Sequence, residues 1–426
     1  MTNSIAIFWF RRDLRLIDNT ALNAALTNHT NVLPIFIFDS EILNELDPDD
    51  SRVTFIHKCL QKMNQSLENY GSSIKCMHGS PLDLFKQLIV EYHVTDVYIN
   101  KDYEPYSRVR DKAVYELLNS NGINLHGLKD QVIFEKLEIA KEDGKPYTIF
   151  TPYKRKWLFH FSKLLAQKAP LINTKHFHQS NFPLISLKHL GFRPSLIEVP
   201  DYDLSVVDEY EDMRDFPSMN GTSHLSTHMR FGTVSIREII SRLDVDSVFL
   251  SELIWREFFM QIIYSFPKVV DSNFKSKYDG IQWRNNTKEF KAWCEGKTGY
   301  AIVDAGMIEL NKTGLMHNRV RMVTAGFLCK HLLIDWRWGE AYFASKLLDY
   351  DLSANNGNWQ WAAGTGCDSA PYFRIFNPSE QQKKFDKNFE YIEKWNPNWK
   401  ENDIPIVDHK QARERALKVY SEGILK

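Results

Sequence analysis

Glu252, Trp255 and Arg256 fall at i, i+3 and i+4 of the run Ser251-Glu252-Leu253-Ile254-Trp255-Arg256-Glu257-Phe258-Phe259. A helix there brings a carboxylate, an indole and a guanidinium to one face. That face could be a surface Glu–Arg pair capped by an aromatic, but similar mixtures recur downstream. Met316-His317-Asn318-Arg319-Val320-Arg321-Met322 sets two arginines beside an asparagine and two methionines. Asp349-Tyr350-Asp351 then stands close before Asn355-Asn356-Gly357-Asn358-Trp359-Gln360-Trp361. Polar side chains in otherwise apolar helices are costly unless they meet partners or a ligand. A large polar cofactor would supply both.

Other spacings imitate sites without completing them. Gly296-Lys297-Thr298 lacks the glycine a phosphate-binding loop needs five positions earlier, where Lys291 stands. Ser272-Asn273-Phe274-Lys275 with Lys297-Thr298-Gly299 has no Ser-Asp-Asn between its halves, so it is no acyl-transfer set. His224 and His228 are four apart without the His-Glu-x-x-His pattern, and the five cysteines form no C-x-x-C pair. No metal site and no disulfide are expected. The net charge of −1 means that any nucleic-acid contact must come from a local basic patch. The apolar start is too short for a signal peptide and no run of 18 apolar residues follows, so the expectation is a soluble, cytoplasmic protein off the membrane.

The elements that must position these residues differ along the 426-residue chain. Apolar runs at Ile5–Trp9, Val32–Phe38, Ile74–Met77 and Val97–Asn100 alternate with amphipathic segments at Val53–Tyr70, Pro81–Tyr92 and Ser107–Ser120. This predicts an α/β, doubly wound parallel sheet over residues 1–130, with Ile123–His126, bracketed by Gly122 and Gly127, as a fifth edge strand. No G-x-G-x-x-G follows the first strand. Residues 131–200, rich in Pro, Lys and His, suggest a surface connector. From 201 to 426 the grammar is all-α, with helices at Ile236–Leu243, Val248–Tyr264, Thr287–Glu295, Ala301–Asn311, Arg319–Ile334 and Gly339–Leu348. Most of the 11 tryptophans lie in this half, where core packing accounts for the majority.

Longer motifs carry a resemblance. The opening Trp9-Phe10-Arg11-Arg12-Asp13-Leu14-Arg15-Leu16-Ile17-Asp18-Asn19 is one, and Ser251–Phe258 and Lys297–Met322 are others. Asp351–Pro378, ending Ala370-Pro371-Tyr372-Phe373-Arg374-Ile375-Phe376-Asn377-Pro378, and Ile406-Val407-Asp408-His409-Lys410 complete the set. Together they resemble the photolyase/cryptochrome family over nearly the whole chain, and the class I bacterial cyclobutane pyrimidine dimer photolyases within it. The resemblance implies a monomer whose helical domain binds FAD and which acts on DNA containing pyrimidine dimers. Light-driven electron transfer from reduced FAD to the flipped lesion then opens the dimer.

By matching positions, the resemblance assigns Tyr210 and Thr222-Ser223-His224-Leu225-Ser226 to the FAD diphosphate. It assigns Arg256, Arg321, Asp349, Tyr350 and Asp351 to the rest of the cofactor, and Asn355 to the flavin N5. Trp255 and Trp361 become aromatic walls of the lesion pocket, Met322 packs against the lesion, and Glu252 bonds the pyrimidine edge. Arg214, Arg256, Asn318, Arg319 and Gln381 contact DNA. Trp359, Trp336 and Trp283 form the electron-transfer chain, with core packing the alternative for each.

Two rivals share the fold in that family. Plant-type cryptochrome light sensors carry Asp where Asn355 stands and append long tails, whereas about 50 residues follow Pro378 here. Enzymes that repair (6-4) photoproducts place a catalytic histidine where this chain has Asn318. The second, antenna chromophore stays open. Folate-binding members continue Tyr-Glu-x with Asn-Glu, but Tyr103-Glu104-Pro105 is followed by Tyr106-Ser107. That departure favours a deazaflavin, a flavin or an empty pocket over folate.

Overall fold

The computed structural model describes residues 4–402 and 404–424. It separates into two compact units: Met1–Ile139 with Trp157–Pro200 and Ser226–Val245, and Ala140–Lys156 with Asp201–Leu225 and Asp246–Lys426.

The first unit is built on five parallel strands: β1 (Ile5–Phe10), β2 (Val32–Asp39), β3 (Lys75–Gly79), β4 (Val94–Asn100) and β5 (Asn124–Leu128), in the order β3-β2-β1-β4-β5. The longer helices interleaved with them are α1 (Thr20–Asn28), α2 (Ser51–Glu68), α3 (Pro81–Glu91) and α4 (Pro105–Ser120). Every residue of β1 and β2 is buried, because both faces of the sheet are covered and alternate side chains have separate cores to enter. Ala6, Phe8 and Phe10 pack with Leu22, Leu26 and Leu60. Ile5, Ile7 and Trp9 pack with Phe85, Leu88, Val114 and Leu118 on the other face. Each of the larger aliphatic and aromatic side chains among them contributes roughly 1.5–3 kcal/mol by leaving water. The fifth strand lies at the edge as expected, though it starts one residue later, ends two later and takes Gly127 inside it.

Residues 131–200 hold more structure than a surface connector. Helix α5 (Phe150–His160) forms there, with Phe150, Tyr153 and Trp157 buried at i, i+3 and i+7. A short helix, α6 (Leu225–Phe231), follows the loop at 221–224.

The second unit is helical: α7 (Val248–Ser265), α8 (Thr287–Cys294), α9 (Ala301–Thr313), α10 (Asn318–Gly326), α11 (Trp336–Lys346), α12 (Leu352–Ala363), α13 (Pro378–Phe385), α14 (Glu390–Trp395) and α15 (His409–Gly423). The expected helix Arg319–Ile334 is not continuous. It ends at Gly326 and widens into a π turn at Phe327–His331, where the Leu332 N–H donates to Phe327 O at 3.1 Å. At Gly357, α12 meets Phe259 of α7 so closely that a Cβ would lie 2.8 Å from its Cγ. A side chain there would push apart the two helices that carry the site.

Candidate active site

Helix α7 begins behind Ser247, whose hydroxyl accepts from Leu250 N, and it presents Glu252, Trp255 and Arg256 as the spacing predicted. The Trp255 ring stacks on Phe150 at 3.7 Å and 9°, and Phe258 meets it edge-on at 5.5 Å. Trp255 remains half-buried. Glu252 Oε1 accepts from Arg214 Nη1 at 2.9 Å. The Arg214 guanidinium also lies over the Tyr210 ring at 5.2 Å, and burial beside Glu252 pushes the Tyr210 phenol up to about 12. Tyr210, Arg214, Glu252 and Trp255 are thus brought into one neighbourhood.

A second group gathers around the start of α12. Asp351 is its N-cap and accepts from Ala354 N at 3.2 Å. Arg321 of α10 donates to Asp349 at 3.0 and 3.2 Å and to Met316 O at 2.8 Å, and Tyr350 packs against the helical core. One turn into α12, Asn355 Nδ2 donates to Glu340 Oε1 at 2.8 Å and to Glu340 O at 3.2 Å. Both partners are acceptors, so the amide oxygen is turned away from α11. Burial raises the Glu340 carboxyl and the Asn355 bond only partly offsets it.

In the loop before α6, the Ser223 carbonyl accepts from Asp203 N at 2.9 Å and its hydroxyl from Leu225 N at 3.4 Å. His224 adopts φ +50°. Ser226 is the second residue of α6 and belongs to the first unit by contacts. The donor set suits FAD: hydroxyls, main-chain N–H groups and guanidinium ions match a diphosphate. Asp349, Asp351 and the Asn355 amide oxygen can accept from ring N–H and ribityl O–H groups.

A third group surrounds a small cavity lined by Met322, Gly326, Lys330, Trp361, Ala362, Ala370, Arg374 and Phe376. Met322 and Trp361, expected as lesion walls, come together here. Asn318 is the first residue of α10, capped by His317, whose Nδ1 accepts from Arg319 N at 3.2 Å. Burial and Arg319 pull the His317 imidazole down to about 4, so it is neutral and committed to capping. Arg319 donates to Asp215 at 2.5 Å and covers the Phe385 ring at 4.3 Å. Gln381 lies on α13 with its amide oxygen buried and without a partner.

The three tryptophans of the expected relay share one helical core, with Trp336 and Trp359 buried in it and Trp283 packed against it. Trp359 meets Phe343 at 4.9 Å and Trp293 at 6.2 Å. Trp336 donates from Nε1 to Asn273 Oδ1 at 2.9 Å, and Trp283 meets Tyr420 edge-on at 5.9 Å. Sequence reasoning missed Phe150, Glu340 and Lys330. Phe150 carried a signal, being the first of three aromatics at helical spacing. Glu340 and Lys330 carried none, since their partners are 15 and 42 residues away.

The parallel sheet and the helical unit agree with what comparison with known proteins finds. Residues 6–171 match the DNA photolyase family and residues 249–404 match the FAD binding domain of DNA photolyase. A deoxyribodipyrimidine photo-lyase of Vibrio cholerae is 36% identical, covering 97% of this chain and 98% of its own length. The crystal structure of a bacterial class III photolyase from Agrobacterium tumefaciens superposes with a TM-score of 0.88 at 32% identity, covering 99% of this chain and 98% of its own. An archaeal photolyase from Sulfolobus tokodaii, solved with two FAD molecules, gives 0.85 at 33% identity, covering 98% of this chain and all of its own. The chain belongs to the photolyase/cryptochrome family. It is a photolyase-type lyase whose cofactor is FAD and whose partner is DNA. Among the described residues no helix is long and apolar enough to cross a membrane.

Proposed function

We propose that this protein repairs cyclobutane pyrimidine dimers in DNA under light. The observation that carries this reading is the convergence of Met322 and Trp361, 39 positions apart, on one cavity of the helical unit. Trp255, backed by Phe150, supplies a second stacking surface. Photolyases are among the enzymes that flip their target out of the duplex, at a cost of a few kcal/mol that is lowest for a damaged pair. Stacking on Trp255 and Trp361 offsets that cost, and Glu252, oriented by Arg214, bonds the pyrimidine edge. Arg256, Asn318, Arg319 and Gln381 hold the DNA around the lesion.

Bound in its reduced form, FAD supplies the electron that opens the dimer after light absorption. Tyr210 and the Thr222–Ser226 segment hold its diphosphate, while Arg321, Asp349, Tyr350 and Asp351 line the remainder. Asn355, with its amide N–H groups taken by Glu340, presents its oxygen to the flavin N5–H without adding charge. Trp359, Trp336 and Trp283 pass electrons inward from solvent. The repair reading is favoured over (6-4) repair because Asn318 occupies the key position and the adjacent His317 is used as a helix cap.

The test is blue-light illumination of the purified, FAD-loaded protein with dimer-containing oligothymidylate, followed by the return of thymine absorbance. Light-dependent recovery is expected, with no turnover of a (6-4) oligonucleotide. Tight lesion binding with no recovery in light would sink the repair reading in favour of a sensor.

A further inference from the structure

Lys330 is 2% exposed, and the acceptors of its ammonium are main-chain oxygens. Nζ donates to Tyr372 O at 2.9 Å and Arg374 O at 3.5 Å, and it lies 5.3 Å from the centre of the Tyr420 ring. The π turn Phe327–His331 adds a residue to the local register, a feature frequent at functional sites. Residues 370–377 contain no helix or strand. Within them, Arg374 N–H donates to Pro371 O at 2.9 Å, and Phe373 stands 61% exposed between the two carbonyls that bond Lys330. Tyr372 stacks on Tyr420 at 5.9 Å and 6°, and Tyr420 Oη is fixed on Ala363 O at 2.8 Å. Arg374 and Phe376 of the same segment line the cavity with Met322 and Trp361.

We infer that Lys330 is a positioning residue for lesion recognition: its ammonium clamps the main chain of Tyr372–Arg374 and so sets where Arg374, Phe376 and the exposed Phe373 stand at the cavity. This rests on the reading of that cavity as the lesion pocket. A buried cation is hard to maintain for packing alone, because an apolar chain of similar shape is often as stable. One that serves carbonyls in a loop bearing ligand-facing side chains has a purpose there. Binding to undamaged DNA is dominated by phosphate contacts, and the clamp leaves that term alone. Discrimination for the lesion depends on a wall already in place, since ordering it on binding weakens the complex.

The experiment uses the FAD-loaded protein in the dark, titrated with dimer-containing and undamaged oligothymidylate. Lys330→Met is expected to keep its FAD spectrum and its affinity for undamaged DNA, while the ratio of lesion to undamaged affinity falls roughly tenfold. Hydrogen exchange over residues 371–376 speeds up in the same variant. Lys330→Arg, which keeps the charge and the donors, restores the ratio and the protection. An unchanged ratio in Lys330→Met overturns the proposal. So does a Lys330→Met protein that fails to fold or hold FAD, because the lysine would then belong to the core and not to the loop. Trp361→Ala separates the two readings. If it loses discrimination while Lys330→Met keeps it, only the clamp is wrong; if it too keeps discrimination, the pocket assignment fails.

Discussion

Two buried charge clusters, one in each unit, are held in opposite ways. In the first, Asp130 is 1% exposed and accepts from Arg15 at 2.5 Å, Arg237 at 2.7 Å and Thr20 Oγ1 at 2.9 Å, while Arg237 also bonds Asp18 at 3.1 Å. Burial alone would raise the Asp130 carboxyl, but the two guanidinium ions hold it down to about 2. In the helical unit, Lys330 is bonded by carbonyls and Glu340 by an amide. Burial pulls the first down to about 8 and pushes the second up. Charge that answers charge is held in its ionised form, whereas charge held by neutral groups is pushed towards the neutral one. The second condition is the one that marks functional sites.

The largest effect that can break this comparison is on the first unit. Asp130→Ala leaves Arg15 and Arg237 buried without their shared acceptor, and removing one partner of a buried pair costs about 3–5 kcal/mol. Thermal unfolding of FAD-loaded protein is the measurement. The wild-type contribution is present above the ordinary carboxylate range and is lost as the pH falls toward about 2. A loss under 1 kcal/mol would show that the cluster is not closed.

Lys330 should instead carry a burial penalty that is relieved as the pH rises. Its folded-state pKa of about 8 lies below its ordinary 10.5. Below pH 8 both states carry the proton and the burial penalty is complete. Between about 8 and 10.5 the unfolded chain binds the proton and the folded chain does not, so stability rises with pH. Relative to Lys330→Met, the wild type should gain about 3 kcal/mol across that window. Parallel stability curves for the two proteins would show that the ammonium is not desolvated.

The same contrast separates what the sequence reveals from what only the fold brings together. The sheet was legible because strands covered on both faces are continuous apolar runs such as Ile5–Phe10 and Val32–Asp39. The α7 face was legible because helical spacing alone puts Glu252 and Trp255 together. Helix α5 was hidden by Pro152 and by lysines at 154 and 156, although its buried aromatics kept the period. The π turn was not legible, since an i+5 bond comes from tertiary packing and leaves no mark in local pattern. The Lys330 and Glu340 bonds were hidden for the same reason: each joins segments that only the fold brings together.

A third prediction sharpens the stacking surface. Trp255→Ala should weaken binding to dimer-containing DNA by ~1–3 kcal/mol, or roughly ten- to hundredfold, with FAD still bound. Phe150→Ala, which removes only the ring behind Trp255, should act in the same direction but by ~0.5–1.5 kcal/mol. Equal affinities for wild type and Trp255→Ala in a dark titration would remove Trp255 from the lesion pocket.

The smallest expected effect tests how Asn355 is oriented. Its Nδ2 faces two acceptors on Glu340, one of them a side-chain carboxyl oxygen at 2.8 Å. Glutamine at 340 can donate as well as accept, so in Glu340→Gln only the main-chain Glu340 O still requires an N–H, and the Asn355 amide can turn over at the loss of that longer bond and present N–H where it had presented oxygen. Under the proposed placement, that removes a hydrogen bond to the N5–H of reduced flavin. One net hydrogen bond is worth about 1 kcal/mol, or roughly 40 mV for a one-electron couple. The reduced form loses the support, so the midpoint should fall by about that amount. Glu340→Asp, which keeps an acceptor, should fall less. The readout is a redox titration with FAD content confirmed in each protein, and it does not depend on repair. If Glu340→Gln and wild type share one midpoint while Asn355→Ala shifts it, Asn355 is at the flavin but Glu340 does not orient it. If neither variant shifts it, Asn355 is not at N5.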